Sequence, residues 1–468
     1  MVFSNLFFLY IFLPVLALAY FITRNNTVRR GVLVAFSLIF YAWGEPLYVF
    51  LMIGMVAADY GFGIAIDRVQ TQSFRKMWLV LSVIFNLGIL CTYKYLGFFT
   101  ETLNLIFSFT IPVVRLALPI GISFFTFQTM SYVIDVYRGD AEVQKDYFKL
   151  LLYVSFFPQL IAGPIVRYKD IEAQLDNRRV DIADINEGIY RFSVGLAKKV
   201  ILADNCDSVV QTLMGLSDTT VTARWVGALF FTLQLYFDFS GYSDMAIGLG
   251  QIFGFRFNEN FNYPLISSSA TEFWRRWHIS LGTFFRDYVY IPLGGNRHDQ
   301  QRNILVVWFL TGMWHGASWN FMLWGLYYAF LLMLEKNRLL AAFQKMPKVV
   351  SFLLSKIYVI FITVFGFAIF YFDSNLFKNL GYMFGIGTSG MTDIFTNSVI
   401  MDNIFLLITA CVFAVPVVPF LAELCRKKLR LSYEAERIIK TAAAVMVILA
   451  ATVRLCGNSY SPFLYFRF

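Results

Sequence analysis

The sequence predicts an all-α polytopic membrane protein with broken or re-entrant helices in its middle, and three observations lead there. Hydrophobic residues make up 58% of the chain and charged residues only 15%, a balance that excludes a soluble multidomain protein. Apolar segments long enough to cross a bilayer recur from one end to the other. Lys and Arg gather in the turns between them, so the net charge of +9 reads as cytoplasmic loops facing anionic headgroups. It does not read as a nucleic-acid surface, because no basic domain or nucleic-acid motif accompanies it. The chain is expected to be a single integral-membrane domain, 1–468.

In order along the chain, MVFSNLFFLYIFLPVLALAYFI has an apolar core and an Ala17-Leu18-Ala19 triplet that mimics a signal-peptidase site. It lacks a basic leading region, so it is read as a retained first span. Further apolar segments run over about 31–43, 47–66, 78–99, 116–136, 148–165, 188–203, 226–250, 303–334, 350–372, 400–424 and 441–453, eleven or twelve in all. The basic turns with Arg24, Arg29 and Arg30, then Arg68, Arg75 and Lys76, and finally Arg426, Lys427, Lys428 and Arg430 read as cytoplasmic, which puts the N-terminus outside. Strict alternation would place the charged stretches 167–179 and 275–297 outside as well. Broken helices remove that conflict, and they are tolerated where they are buried in protein or line a cavity.

The run 303–334, NILVVWFLTGMWHGASWNFMLWGLYYAFLLML, holds no Asp, Glu, Lys or Arg and one histidine, His315. In a straight helix that histidine would lie about 17 Å from Ile304, halfway through a hydrocarbon layer. An imidazole there is costly and marks a functional site facing a polar cavity; the plainer alternative is a buried histidine bonded to a neighbouring carbonyl. Gly312, Gly316 and Gly325 favour the first reading by leaving room for another backbone or a substrate, and Ser318 and Asn320 add polar groups. Glycines on both sides of Trp314 and His315 also make this segment a candidate for a break.

Between 254 and 302 the chain turns polar and then aromatic. Ser269 and Glu272 fit a capping box, so a helix should start near Ala270. Phe273, Trp277, Leu281, Phe284 and Tyr288 form one apolar stripe, predicting a continuous interfacial helix over 271–290 at the cytoplasmic entrance. Arg275, Arg276 and Arg286 fall off the stripe, toward headgroups or a phosphorylated ligand. His278, one turn beyond Trp274, reads on its own as an interfacial structural histidine, and His298, in GGNRHDQQRN, as a solvated one. Asp238 and Asp244, in YFDFSGYSD, are read as helix-to-helix hydrogen-bonding groups ahead of catalytic ones. Cys91, Cys206, Cys411, Cys425 and Cys456 show no CxxC spacing, so neither a disulfide framework nor a metal site is expected.

The run LQLYFDFSGYSDMAIGLGQIFGFRFNENFNYPLISSSATEFWRRWHISLGTFFRDYVYIPLGGNR, followed by LTGMWHGASWNFMLWG, resembles the membrane-bound O-acyltransferase (MBOAT) superfamily. It is similar in particular to the branch of bacterial alginate O-acetyltransferase and the related peptidoglycan and cellulose acetylation proteins. The match is strongest over 236–328; FSNLFFLYIFLP and SPFLYFRF extend it to both ends. The resemblance implies an MBOAT-like helical bundle around a central tunnel, with His315 of the Trp-His-Gly element catalytic and His278 of the Arg-Arg-Trp-His element in the tunnel. It implies acetyl-CoA as donor, a location in the inner or plasma membrane, and an extracytoplasmic acetyltransferase or carrier protein as partner. The acceptor it implies is alginate, cellulose, another exopolysaccharide or peptidoglycan.

The chemistry also follows from the residues. Acyl transfer from a thioester to a hydroxyl needs a base for the hydroxyl proton and a donor for the tetrahedral oxyanion. His315 is assigned as the base, and His278, Asn320 or a backbone N–H as the oxyanion contact. No nucleophile elbow is present, which favours direct transfer. Arg275 and Arg276 are candidates for the donor's phosphates, with headgroup anchoring an equal alternative. Teichoic-acid D-alanyl transfer, a polytopic transporter and an inert scaffold are the other readings; no internal repeat supports the transporter.

Overall fold

A computed structural model describes residues 1–114, 116–176, 178–429, 432–457 and 463–464. Among these residues all regular structure is helical, the form in which a segment satisfies its own backbone inside lipid. Arg430 of the last basic turn, and SPFLYFRF apart from Phe463 and Leu464, lie outside the described residues. The chain divides into two compact units, residues 1–192 with 242–258 and residues 193–241 with 259–468.

In the first unit, Tyr48–Arg68 and Gln72–Lys94 are long and apolar enough to cross a membrane. Gln72–Lys94 reverses the pattern of a soluble helix: Phe74, Val80, Leu81, Ile84 and Leu87 are exposed, whereas Ser82 and Asn86 are buried. The inward polar pair serves Asp59, which accepts from Ser82 Oγ at 2.6 Å and from Asn86 Nδ2 at 2.9 Å. Thr129 Oγ1 donates to Asn86 Oδ1 at 3.0 Å, which brings Ile122–Arg138 into the same network. A buried carboxylate is costly without such donors. Asp244, also in this unit, pairs with Arg191 at 2.9 Å.

The second unit includes residues 221–241 of the long helix Val221–Ile252. Its Asp238 meets the buried Lys199 ammonium at 2.7 Å and accepts from Leu464 N at 2.8 Å. Both carboxylates of YFDFSGYSD thus bind cations from other helices, partners too distant in sequence to be visible there. Lys348–Tyr371 and Glu434–Gly457 are long and apolar enough to span, and Ile394–Asp402 with Ile404–Phe413 forms a pair bent by 53°.

Eleven or twelve apolar segments therefore yield, among the described residues, four helices of spanning length and one bent pair. The difference lies in what the apolar residues face. Segment 148–165 is split into Tyr147–Ser155 and Phe157–Leu160, and from Leu150 to Val166 every residue is buried. Its apolarity fills a protein core, where short pieces suffice.

The run 303–334 folds as a helical hairpin, Gln300–His315 and Trp319–Leu334. A Cβ on Gly312 would lie 2.4 Å from the Phe321 carbonyl oxygen, and one on Gly325 would lie 2.3 Å from that of Trp308. The two helices therefore touch backbone to backbone, a contact that only glycine permits. Gly325→Ala should force them apart and cost about 1–3 kcal/mol. Thermal unfolding of the purified protein in detergent measures this, and an unchanged midpoint would show that the contact is slack.

Candidate active site

The site begins at the helix Ala270–Arg276 in the second unit. Its start is where the capping box puts it: Ser269 Oγ accepts from Glu272 N at 3.0 Å. The reciprocal arm differs, because the Glu272 carboxylate takes the N–H of Ser268. The first two amides go to a residue far away in sequence. Fully buried Glu335, just past the hairpin's second helix, accepts from Ala270 N and, at 2.9 Å, from Thr271 N.

The expected continuous helix over 271–290 is broken into Ala270–Arg276, Ile279–Phe285 and a π-helical turn, Arg286–Tyr290. In a continuing helix the Arg276 carbonyl would accept from Ser280 N. Here it accepts from Asn262 N at 2.9 Å, while Ser280 N donates to Asn260 Oδ1 at 3.2 Å and Ile279 N to the Asn260 carbonyl at 2.9 Å. The segment around Asn260 thus takes over the helix's own hydrogen bonds. His278 sits in the break with φ +45°, a strained conformation for a residue with a Cβ.

The break turns His278 into the protein. Its side chain is buried, with Phe239 at 4.6 Å and Trp314 at 5.8 Å between ring centroids. His315 is the last residue of the first hairpin helix, enclosed by Trp314, Trp324 and Phe370 at 4.9, 5.0 and 5.1 Å. Both imidazoles line one chamber of about 160 Å³, walled by Trp274, Trp308 and Thr311. His278 Nε2 and the indole nitrogens of Trp274 and Trp324 have no hydrogen-bond partner within the described protein.

Trp274, Trp308 and Tyr290 also line a wider cavity of about 560 Å³, where Arg275, Arg286 and Lys336 appear. Partial burial, and after it the charge of Arg275, holds the Lys336 ammonium below its usual range. An anion entering this cavity would relieve that repulsion. Cations at a wide mouth and two imidazoles in an apolar chamber suit an anionic carrier that delivers a reactive group inward.

Of the residues singled out from sequence, His315, His278, Arg275 and Arg286 meet in these two cavities. Arg276 does not: it pairs with Glu272 at 3.0 Å and donates to the Asn262 carbonyl, holding the break closed. Asn320 also lines neither cavity; its Nδ2 donates to the Phe370 carbonyl at 2.9 Å. His298 is exposed. Glu335, Lys336 and Asn260 were missed. Glu335 is the first charge after a long apolar run, the one sign that could have marked it. Among the described residues no group of three His, Cys, Asp or Glu is placed to hold a metal ion.

The family model MBOAT, membrane-bound O-acyltransferase family, matches residues 99–372. The chain is 36% identical to the probable alginate O-acetylase AlgI of Azotobacter vinelandii over the whole of both chains. It is 33% identical to the peptidoglycan O-acetyltransferase of Helicobacter pylori, over all of this chain and 98% of that one. To the teichoic acid D-alanyltransferase of Bacillus subtilis it is 29% identical, over 46% of this chain and 58% of the other.

Because His298 is exposed and lines neither cavity, His298→Ala should shift stability by no more than about 0.5 kcal/mol and leave turnover unchanged. Unfolding and acetyl-transfer assays on the purified variant check this; a large loss of turnover would mean that the site lies elsewhere.

Proposed function

The chain belongs to the membrane-bound O-acyltransferase family, and from that premise we propose that it takes an acetyl group from cytoplasmic acetyl-CoA and passes it across the membrane to a hydroxyl acceptor. The shared chamber of His278 and His315 beneath a cation-lined cavity carries this reading. Arg275 and Lys336 meet the donor's phosphates, and the thioester enters the chamber.

His315 removes the acceptor's hydroxyl proton as the oxygen attacks the thioester carbon. The indole N–H of Trp274, buried and without a partner within the described protein, on a residue that lines the chamber, is assigned to the tetrahedral oxyanion. The C–S bond then breaks, and the CoA thiolate takes the proton back from the imidazolium. Aromatic walls exclude water, which would otherwise hydrolyse the thioester.

The names of the full-length relatives support an extracytoplasmic polysaccharide as the final acceptor, alginate-like or peptidoglycan. A secreted transferase or carrier receives the acetyl group at the outer face. The protein lies in the cell's inner or plasma membrane with its N-terminus outside.

His315→Ala should lower acetyl transfer by roughly a hundredfold to ten-thousandfold with insertion intact. Near-normal acetylation of the extracellular product would end this assignment. Arg275→Gln should raise KM for acetyl-CoA more than it lowers kcat, since a remote phosphate contact acts as uniform binding, whereas Arg276→Gln should act through stability. Steady-state kinetics separate the two, and equal KM effects would refute the distinction.

A further inference from the structure

The geometry assigns Asn260 as the positioning residue that fixes the tautomer of His278, a residue lining the chamber, with hydrogen on Nδ1, so that the buried Nε2 is a hydrogen-bond acceptor. One Asn260 side-chain atom receives three contacts: Ser280 N at 3.2 Å, Ser280 Oγ at 2.9 Å and His278 Nδ1 at 3.1 Å. A backbone N–H can only donate, so the atom facing Ser280 N must be the amide oxygen and not the nitrogen. An oxygen acceptor beside an imidazole nitrogen requires that nitrogen to carry the hydrogen. In a neutral imidazole the other nitrogen then bears a lone pair. That nitrogen is Nε2, buried and without a partner within the described protein.

Neutral His278 in this state cannot donate to an oxyanion, so the sequence-based assignment of that role to His278 gives way. It accepts instead, and the donor it suits is a second O–H or N–H of the acceptor: Nε2 holds that group in place while the attacking hydroxyl gives its single proton to His315. This catalytic consequence rests on the acyl-transfer reading; the tautomer does not.

The chain has only three histidines, so nitrogen-15 NMR of histidine-labelled protein in nanodiscs can read each ring, with His298→Gln and His315→Gln assigning the signals. At neutral pH, His278 should show a protonated Nδ1 and an unprotonated Nε2. Asn260→Ala should give a mixture of tautomers and lower kcat about tenfold or more with KM for acetyl-CoA little changed, and Asn260→Asp, which keeps the oxygen, should restore both. A protonated Nε2 on neutral His278 in the unsubstituted protein overturns the proposal, as does Asn260→Ala with an unaltered spectrum. Should the unsubstituted protein transfer no acetyl group, the function reading falls, while the spectrum still decides the tautomer.

Discussion

Glu335 ties the two halves of the site together. Its carboxylate takes the amides of Ala270 and Thr271, so the helix leading to His278 is anchored on the hairpin that carries His315. Charge-assisted bonds to helix-terminal amides are worth about 1.5–3 kcal/mol each. Their direction matters as much: they fix where Ala270–Arg276 begins, and Trp274 and His278 follow from that start. Lys356, donating to the Ile266 carbonyl and Ser268 Oγ, secures the preceding loop.

From that anchor the backbone must stop being a helix at the right residue. Asn260 and Asn262 achieve this by offering partners to groups that would otherwise bond along the helix. The break costs strain at His278, while Ile279 N, Ser280 N and the Arg276 carbonyl keep hydrogen-bond partners. The hairpin reaches a comparable result through glycine, with Gly312 and Gly325 letting two helices close until backbones touch.

The two cavities differ in what they ask of a ligand. The wider one offers Arg275 and Lys336 to a charged group, and the smaller one offers aromatic walls and two imidazoles, while Arg286, paired with Asp287, lines both. The proposed donor, with phosphates at one end and a thioester at the other, would meet both. Arg276, equally basic, takes no part because Glu272 is one helical turn away and claims it.

The sequence by itself determined the class: composition required a membrane protein, the lone charge-free histidine run marked His315, and the Ser269 cap placed a helix start to the residue. Capping and apolar periodicity depend on neighbours within one turn, so a linear reading captures them. It could not decide the break at His278, since the hydrogen bonds that compete with the helix come from Asn260 and Asn262 in the preceding loop, and the stripe Phe273, Trp277, Leu281 looked unbroken. Nor could it separate lipid-facing from core-facing apolar segments, which share a composition and differ only in what surrounds them. Tertiary structure alone decided that Arg275 faces a cavity while Arg276 is spent, that Lys199 answers Asp238, and that Glu335 caps a helix more than sixty residues upstream. Each of these depends on partners distant in the chain, where energy is set by geometry in space and not by spacing in sequence.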